Sequence, residues 1–120
     1  MAESYRNSER PAPVMQGAPV PPEWRVPRDG YDTPPYNRWT FQNMRQVALT
    51  ADVRRGETVW DLPGAPQDVD AVAFDGAQGP TTWEAMLDAT YTDAALIWHD
   101  GKVIAEQYFN GMDRRRQHIL

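Results

Sequence analysis

The chain has no cysteine, which excludes a disulfide framework and thiol catalysis and suits a reducing compartment. Lysine occurs once, as Lys102, and serine only as Ser4 and Ser8, neither followed by lysine three residues on. No apolar run approaches the length of a membrane span. The first ten residues are polar and carry both signs of charge, so they offer no apolar core for a secretion signal. Concentrated positive charge is also lacking. The 12 basic residues are scattered against 17 acidic ones, for a net charge of −5. Binding phosphates takes a clustered basic surface, so a nucleic-acid partner is not expected, and neither is a membrane. A soluble, cytoplasmic protein is the expectation.

Recognisable chemistry is equally sparse. The two histidines, His99 and His118, stand apart from any H-E-x-x-H spacing, and His99 beside a turn reads as an exposed structural residue. Asp75-Gly76, Gly79 and Gly101 assemble into neither G-x-G-x-x-G nor a P-loop. Lys102 reads as a solvated strand end. Asp68 and Asp70 sit in a loop without a partner to separate their pKa values. The run Arg114-Arg115-Arg116 beside Asp113 reads as a solvated turn or helix start. No catalytic, cofactor-binding or metal-binding residue is assigned, and no cofactor is implied.

Proline, by contrast, is abundant and uneven. Of 11 prolines, all but Pro63, Pro66 and Pro80 fall between Pro11 and Pro35, where no helical or strand period runs for more than a few residues. Residues 1–33 therefore read as a Pro-rich flexible arm, with Val14, Met15 and Val20 little buried. Residues 34–120 form the part able to build a core. Within it, "PPYNRWTFQNMRQV" offers Trp39, Phe41 and Met44 as a packed aromatic anchor, with Asn37 as the cap of a helix over 38–45. Residues 47–56 read as a short irregular strand. Residues 57–80 are loop-like, with Trp60 and Leu62 as satellite core contacts.

"GPTTWEAMLDATYTD" has a helix start. Thr81 as N-cap with Glu84 three residues later makes a capping box worth about 1 kcal/mol. Trp83, Met86, Leu87, Thr90 and Tyr91 then line one stripe of a short amphipathic helix whose face is core. A β-hairpin follows. Residues 94–99 and 102–108 favour strand, and Asp100-Gly101 suits a type I′ turn, which needs positive φ at both positions. That turn sets His99 opposite Lys102, Trp98 opposite Val103, Ile97 opposite Ile104 and Leu96 opposite Ala105. Both faces are then largely apolar and call for cover.

Three stretches, "PPYNRW" (34–39), "YTDAALIWHDGKVIAEQYFNGM" (91–112) and "RRQHIL" (115–120), resemble in order and spacing the N-terminal part of the β-lactamase-related serine hydrolases, close to the 6-aminohexanoate-dimer hydrolases. The resemblance implies an α+β chain: the N-terminal fragment of a class C β-lactamase-like, DD-peptidase-like fold, an antiparallel sheet flanked by helices. It also implies a nucleophilic serine and assisting lysine in S-x-x-K at a helix start just after the R-x-H-I-L-like segment, with a tyrosine much further along. Those residues have no counterpart here, so neither Tyr91 nor Tyr108 inherits a role.

The expectation is a partial chain, truncated before the S-x-x-K helix, of a hydrolase that cleaves a small-molecule amide or ester through an acyl-enzyme and is inactive alone. The alternative is a non-catalytic module that binds a partner through its exposed hairpin. Substrate and oligomeric state are not legible.

Overall fold

A computed structural model describes residues 12–119. Its regular elements are helix α1 (Asn37–Thr40), strands β1 (Ala73–Gly76) and β2 (Gly79–Thr82), helix α2 (Trp83–Ala89), and strands β3 (Ala94–His99) and β4 (Lys102–Tyr108), with 3₁₀ turns at Pro22–Trp24 and Met44–Gln46. The fold is α+β, built on two antiparallel hairpins, β1–β2 and β3–β4. The radius of gyration is 16.6 Å, against about 14 Å for a compact domain of this length, so the body is open. None of the described helices is long and apolar enough to cross a membrane.

The β3–β4 hairpin has the expected limits and turn. Asp100 (φ 49°) and Gly101 (φ 75°) both adopt the left-handed conformation that a type I′ turn requires. His99 pairs with Lys102 and Trp98 with Val103 as expected, but the register then shifts between Ile97 and Trp98, so Ile97 faces Ala105 and Leu96 faces Glu106. The expected Ile97–Ile104 and Leu96–Ala105 pairs are therefore corrected. Ile104 is the extra residue of a bulge, and its carbonyl accepts from Gln67 N at 2.8 Å. A bulge re-aims a strand where a neighbour must pair with it. That neighbour is the chain at 63–67, which runs parallel to β4 through a Gly64–Val103 bridge, with Val103 N donating to Pro63 O and Ala65 N to Val103 O. Val103 and Ala105 are buried, while Leu96 and Trp98 remain about half exposed.

The helix α2 starts one residue later than the sequence indicates. Thr82, not Thr81, is the N-cap, its Oγ1 accepting from Ala85 N at 3.2 Å. In the β1–β2 ladder Thr81 pairs with Phe74 and Thr82 with Ala73, so the strand runs up to the cap itself. The remaining free N–H groups of the first turn, on Trp83 and Glu84, donate to the carbonyls of Val72 and Asp70. Backbone just ahead of β1 thus satisfies two of the N–H groups that a helix start leaves without an intrahelical partner. Of the apolar stripe, Leu87 is buried. Trp83 Nε1 ties the helix to the second hairpin by donating to Gln107 Oε1 at 2.7 Å, and Gln107 Nε2 donates to Asp70 Oδ1 at 2.7 Å.

The β1–β2 hairpin begins inside the stretch read as loop and ends at the threonines read as a helix start. Gly76 and Gly79-Pro80 look like breakers, yet Gly76 pairs with Gly79 and Asp75 with Pro80. A Cβ on Gly76 would sit 3.1 Å from Thr81 Cγ2, so the glycine admits a close cross-strand approach. Conversely, 47–56 contains no strand, because no neighbour pairs with it. Trp60 is 83% exposed and Leu62 46%, so neither is a core contact.

The expected helix over 38–45 is two pieces, α1 and the Met44–Gln46 turn. Asn37 is inside α1 rather than capping it, the N-cap being Tyr36 without a side-chain bond. Asn43 Nδ2 donates to Trp39 O at 2.8 Å and occupies a carbonyl at the break.

Ahead of Pro34 most of the described residues are exposed, but two side chains are packed. Val14 is 0% exposed and Ala12 is buried, although Met15 is 40% exposed. Met15 N donates to Trp24 O, Tyr36 Oη to Glu23 O and Thr40 Oγ1 to Tyr31 O. Proline stiffens this segment without removing its carbonyl acceptors, so side chains from α1 and its cap bond to it.

Candidate functional site

Where the chain enters β3 and leaves β4, the structure assembles a polar cluster from four distant pieces. Asp93 precedes β3 and is 7% exposed. Its carboxylate accepts from Gln42 Nε2 (3.1 Å) and His118 Nε2 (3.0 Å) at Oδ2, and from Asn110 Nδ2 (3.0 Å) at Oδ1. A buried carboxylate that keeps its charge needs such donors.

Asn110 is placed by the end of β4. It takes φ 54° and Gly111 φ 69°, a left-handed pair that asparagine and glycine adopt at lower cost than other residues. The turn brings the Asn110 amide under α1, where Nδ2 also donates to Arg38 O at 2.6 Å. Gln42 Nε2 reaches Asn110 O at 3.1 Å, and Phe109 N donates to Asp93 O at 2.8 Å. Arg38 and Thr40 of α1 are buried in the same region.

His118 closes the cluster. Its side chain is 29% exposed, and its ring meets the Phe41 ring edge to face at 5.9 Å. Nε2 faces the Asp93 carboxylate, and Nδ1 lies 2.7 Å from the Ile119 carbonyl oxygen. Both partners are acceptors, so a ring that satisfies both carries a proton on each nitrogen. The hydrogen bond to Asp93 raises the His118 pKa above 6.5; burial works against the shift, and the Ile119 carbonyl and the Asp93 charge add to it. One residue on, Ile119 N donates to Phe41 O at 2.9 Å. The segment after β4 is thereby fastened to α1 and to the base of the hairpin.

An aspartate–histidine pair can orient a general base, but here both ring nitrogens are engaged, and His118 keeps none with which to draw a proton from a nucleophile. The arrangement holds a segment in place. On its outer side, a cavity of about 560 Å³ opens between the Met44–Gln46 turn, residues 50–53 and residues 117–119. Arg45 and Asp52 form an ion pair on its wall, and Arg45 Nε donates to Gln117 Oε1 at 3.3 Å.

The residues singled out in the sequence lie mostly elsewhere. Ser4 and Ser8 fall outside the described residues. His99 and Lys102 are exposed at the hairpin turn. Asp68 Oδ1 accepts from Asp70 N, and Asp70 binds Gln107. Arg115 N and Arg116 N donate to Asp113 Oδ1, which makes the arginine run a capped surface turn, and Arg114 lies 3.7 Å from Glu106. Among the described residues, no three His, Cys, Asp or Glu side chains gather as a metal site. Nothing in the local sequence marks Asp93, Asn110 or Gln42, and His118 stands apart there from any metal-ligating spacing. One signal was available: Arg38, Asp93, Asn110 and His118 all lie in the three quoted stretches, which the fold brings to one place.

No protein-family model matches the chain. Over 93 residues, 77% of its length, it is 31% identical to the 6-aminohexanoate-dimer hydrolase of Paenarthrobacter ureafaciens, of which that match covers 22%. Its fold is similar to a solved structure, a "putative 6-aminohexanoate-dimer hydrolase" from Bacillus anthracis, with a TM-score of 0.66 and 29% identity over 82% of this chain and 26% of that one. The chain thus spans about a quarter or less of the length of either protein.

Proposed function

Because the chain is related in sequence and fold to 6-aminohexanoate-dimer hydrolases, and through them to the β-lactamase-related family, we propose that it is one part of a cytoplasmic serine hydrolase that cleaves a small-molecule amide or ester through an acyl-enzyme. In this reading the nucleophile lies outside these 120 residues, and the chain alone turns over no substrate. The observation that carries it is the fastening of residues 117–119 by His118–Asp93 and Ile119–Phe41, since the resemblance puts S-x-x-K just beyond that segment. Two further facts support it. The only serines, Ser4 and Ser8, have no lysine at the S-x-x-K spacing, and acyl transfer by this route needs an activated serine and an oxyanion hole. Both relatives carry hydrolase names, which favours this reading over a stand-alone binding module.

The test is hydrolysis of a chromogenic ester and of 6-aminohexanoate dimer, with intact-mass detection of an acyl-enzyme. The 120-residue chain and a polypeptide extended in frame through an S-x-x-K and the rest of the domain are compared. Turnover and a mass adduct in the extended protein alone are expected. Activity of the short chain that survives Ser4→Ala and Ser8→Ala would overturn the reading, as would an extended, folded protein that never acylates.

A further inference from the structure

We infer that His118 is a positioning residue: held between the Asp93 carboxylate and the Ile119 carbonyl, its doubly protonated ring fixes the path of the segment that delivers the nucleophile, so acylation depends on the charge of a side chain that touches no substrate. The inference rests on the hydrolase reading and adds to it a residue, a mechanism and a pH dependence.

The geometry carries the argument. Nε2 of His118 reaches across to Asp93, ahead of β3, at 3.0 Å, and Nδ1 lies 2.7 Å from the carbonyl oxygen of the next residue, Ile119. Asp93 is in turn held by Gln42 of the chain after α1 and by Asn110 after β4. One imidazolium therefore joins the α1 region, the hairpin base and the segment 117–119. Losing either ring proton sets a nitrogen lone pair against an oxygen lone pair: at Nε2 it faces the 7%-exposed carboxylate of Asp93, at Nδ1 the Ile119 carbonyl. Neither acceptor can supply a proton in the charged state of the site.

The charged groups around His118 do not provide a substitute. Arg45 and Asp52, across the cavity, are paired with each other. The Arg38 backbone carbonyl accepts from Asn110. On the same segment, Asp113 caps the turn at Arg115 and Arg116, Arg114 faces Glu106, and Arg116 reaches Gly111 O. Asp93 is the carboxylate that meets the ring. The ordinary pKa of histidine lies near 6.5, and the hydrogen bond to Asp93 raises that of His118. Both bonds are thus made at and below that pH, and the ring gives up one of the two as pH rises through the higher folded-state value.

The experiment has two arms. In the 120-residue chain, ¹⁵N NMR of the imidazole, assigned with His99→Gln, follows the protonation of His118 while NOEs between the His118 and Phe41 rings report the clamp. The expected result is protonation of both nitrogens at pH 6, a midpoint above 6.5, loss of the NOEs as the ring deprotonates, and a lower midpoint in Asp93→Asn. In the extended protein, single-turnover acylation is measured against pH. Wild type should slow at least tenfold as His118 deprotonates, with KM little changed. His118→Ala should be slow at every pH. His118→Gln, which keeps a donor for Asp93 and guards against a variant that fails to fold, should be intermediate and flat with pH. A His118 midpoint at or below 6.5, or NOEs that persist after deprotonation, overturns the inference. So does a His118→Ala protein that acylates like wild type, in which case the hydrolase reading stands. A wild-type extended protein that never acylates overturns that reading and the positioning role with it.

Discussion

His118 Nε2 donates to Asp93 Oδ2 at 3.0 Å across 25 residues of sequence. The bond joins the segment after one hairpin to the residue that precedes it, so the hairpin β3–β4 is closed at its open end by side chains as it is closed at the other by Asp100-Gly101. Gln42 and Asn110 complete the closure. Residues that carry no recognisable chemistry in the sequence thus form a connected polar site.

Replacing Asp93 by Ala should cost about 3 kcal/mol, since it leaves the Asn110 amide and the His118 ring without their common acceptor in a site with little access to water. Urea unfolding of the wild-type and variant chains measures it. A loss under about 0.5 kcal/mol would mean that the cluster is not formed in solution.

Stability should also fall on the alkaline side. A histidine whose folded pKa is raised contributes stability that is fully present below its unfolded value near 6.5 and disappears as pH climbs through the folded value. Unfolding midpoints taken between about pH 5 and pH 9 should therefore decline through that window, and the decline should be absent in His118→Gln.

Val14→Ala tests whether the Pro-rich segment is part of the core. Val14 is 0% exposed while Met15 beside it is 40% exposed, so truncating Val14 should cost about 1–2 kcal/mol and truncating Met15 much less. Equal, negligible losses at both positions would restore the picture of a loose arm.

The neighbouring threonines Thr81 and Thr82 distinguish two caps. Thr82→Ala should lose about 1 kcal/mol, because Oγ1 no longer accepts from Ala85 N. Thr81→Ala should lose less, since that side chain caps nothing. The reverse order, read from thermal melts, would return the cap to Thr81.

What the sequence determined by itself is local. The Asp100-Gly101 turn and the limits of β3 and β4 follow from two residues that tolerate positive φ between runs that favour strand, and the helix near Trp83 follows from a threonine ahead of an apolar stripe. A likeness to the 6-aminohexanoate-dimer hydrolases was legible as well, carried by three stretches of sequence. Tertiary structure decided the rest, for physical reasons that can be named. The bulge at Ile104 answers a neighbour at Gln67, 37 residues away, that no local pattern announces. The cap fell on Thr82 because the ladder with β1 runs through Thr81 to the Ala73–Thr82 pair, and the helix begins only after it. Val14 became core, and Trp60 did not, according to whether another part of the chain arrived to cover it. The Asp93–His118 pair is the clearest case: a carboxylate, two amides and an imidazole are ordinary surface residues until folding brings them together away from water, and only there does each require the others.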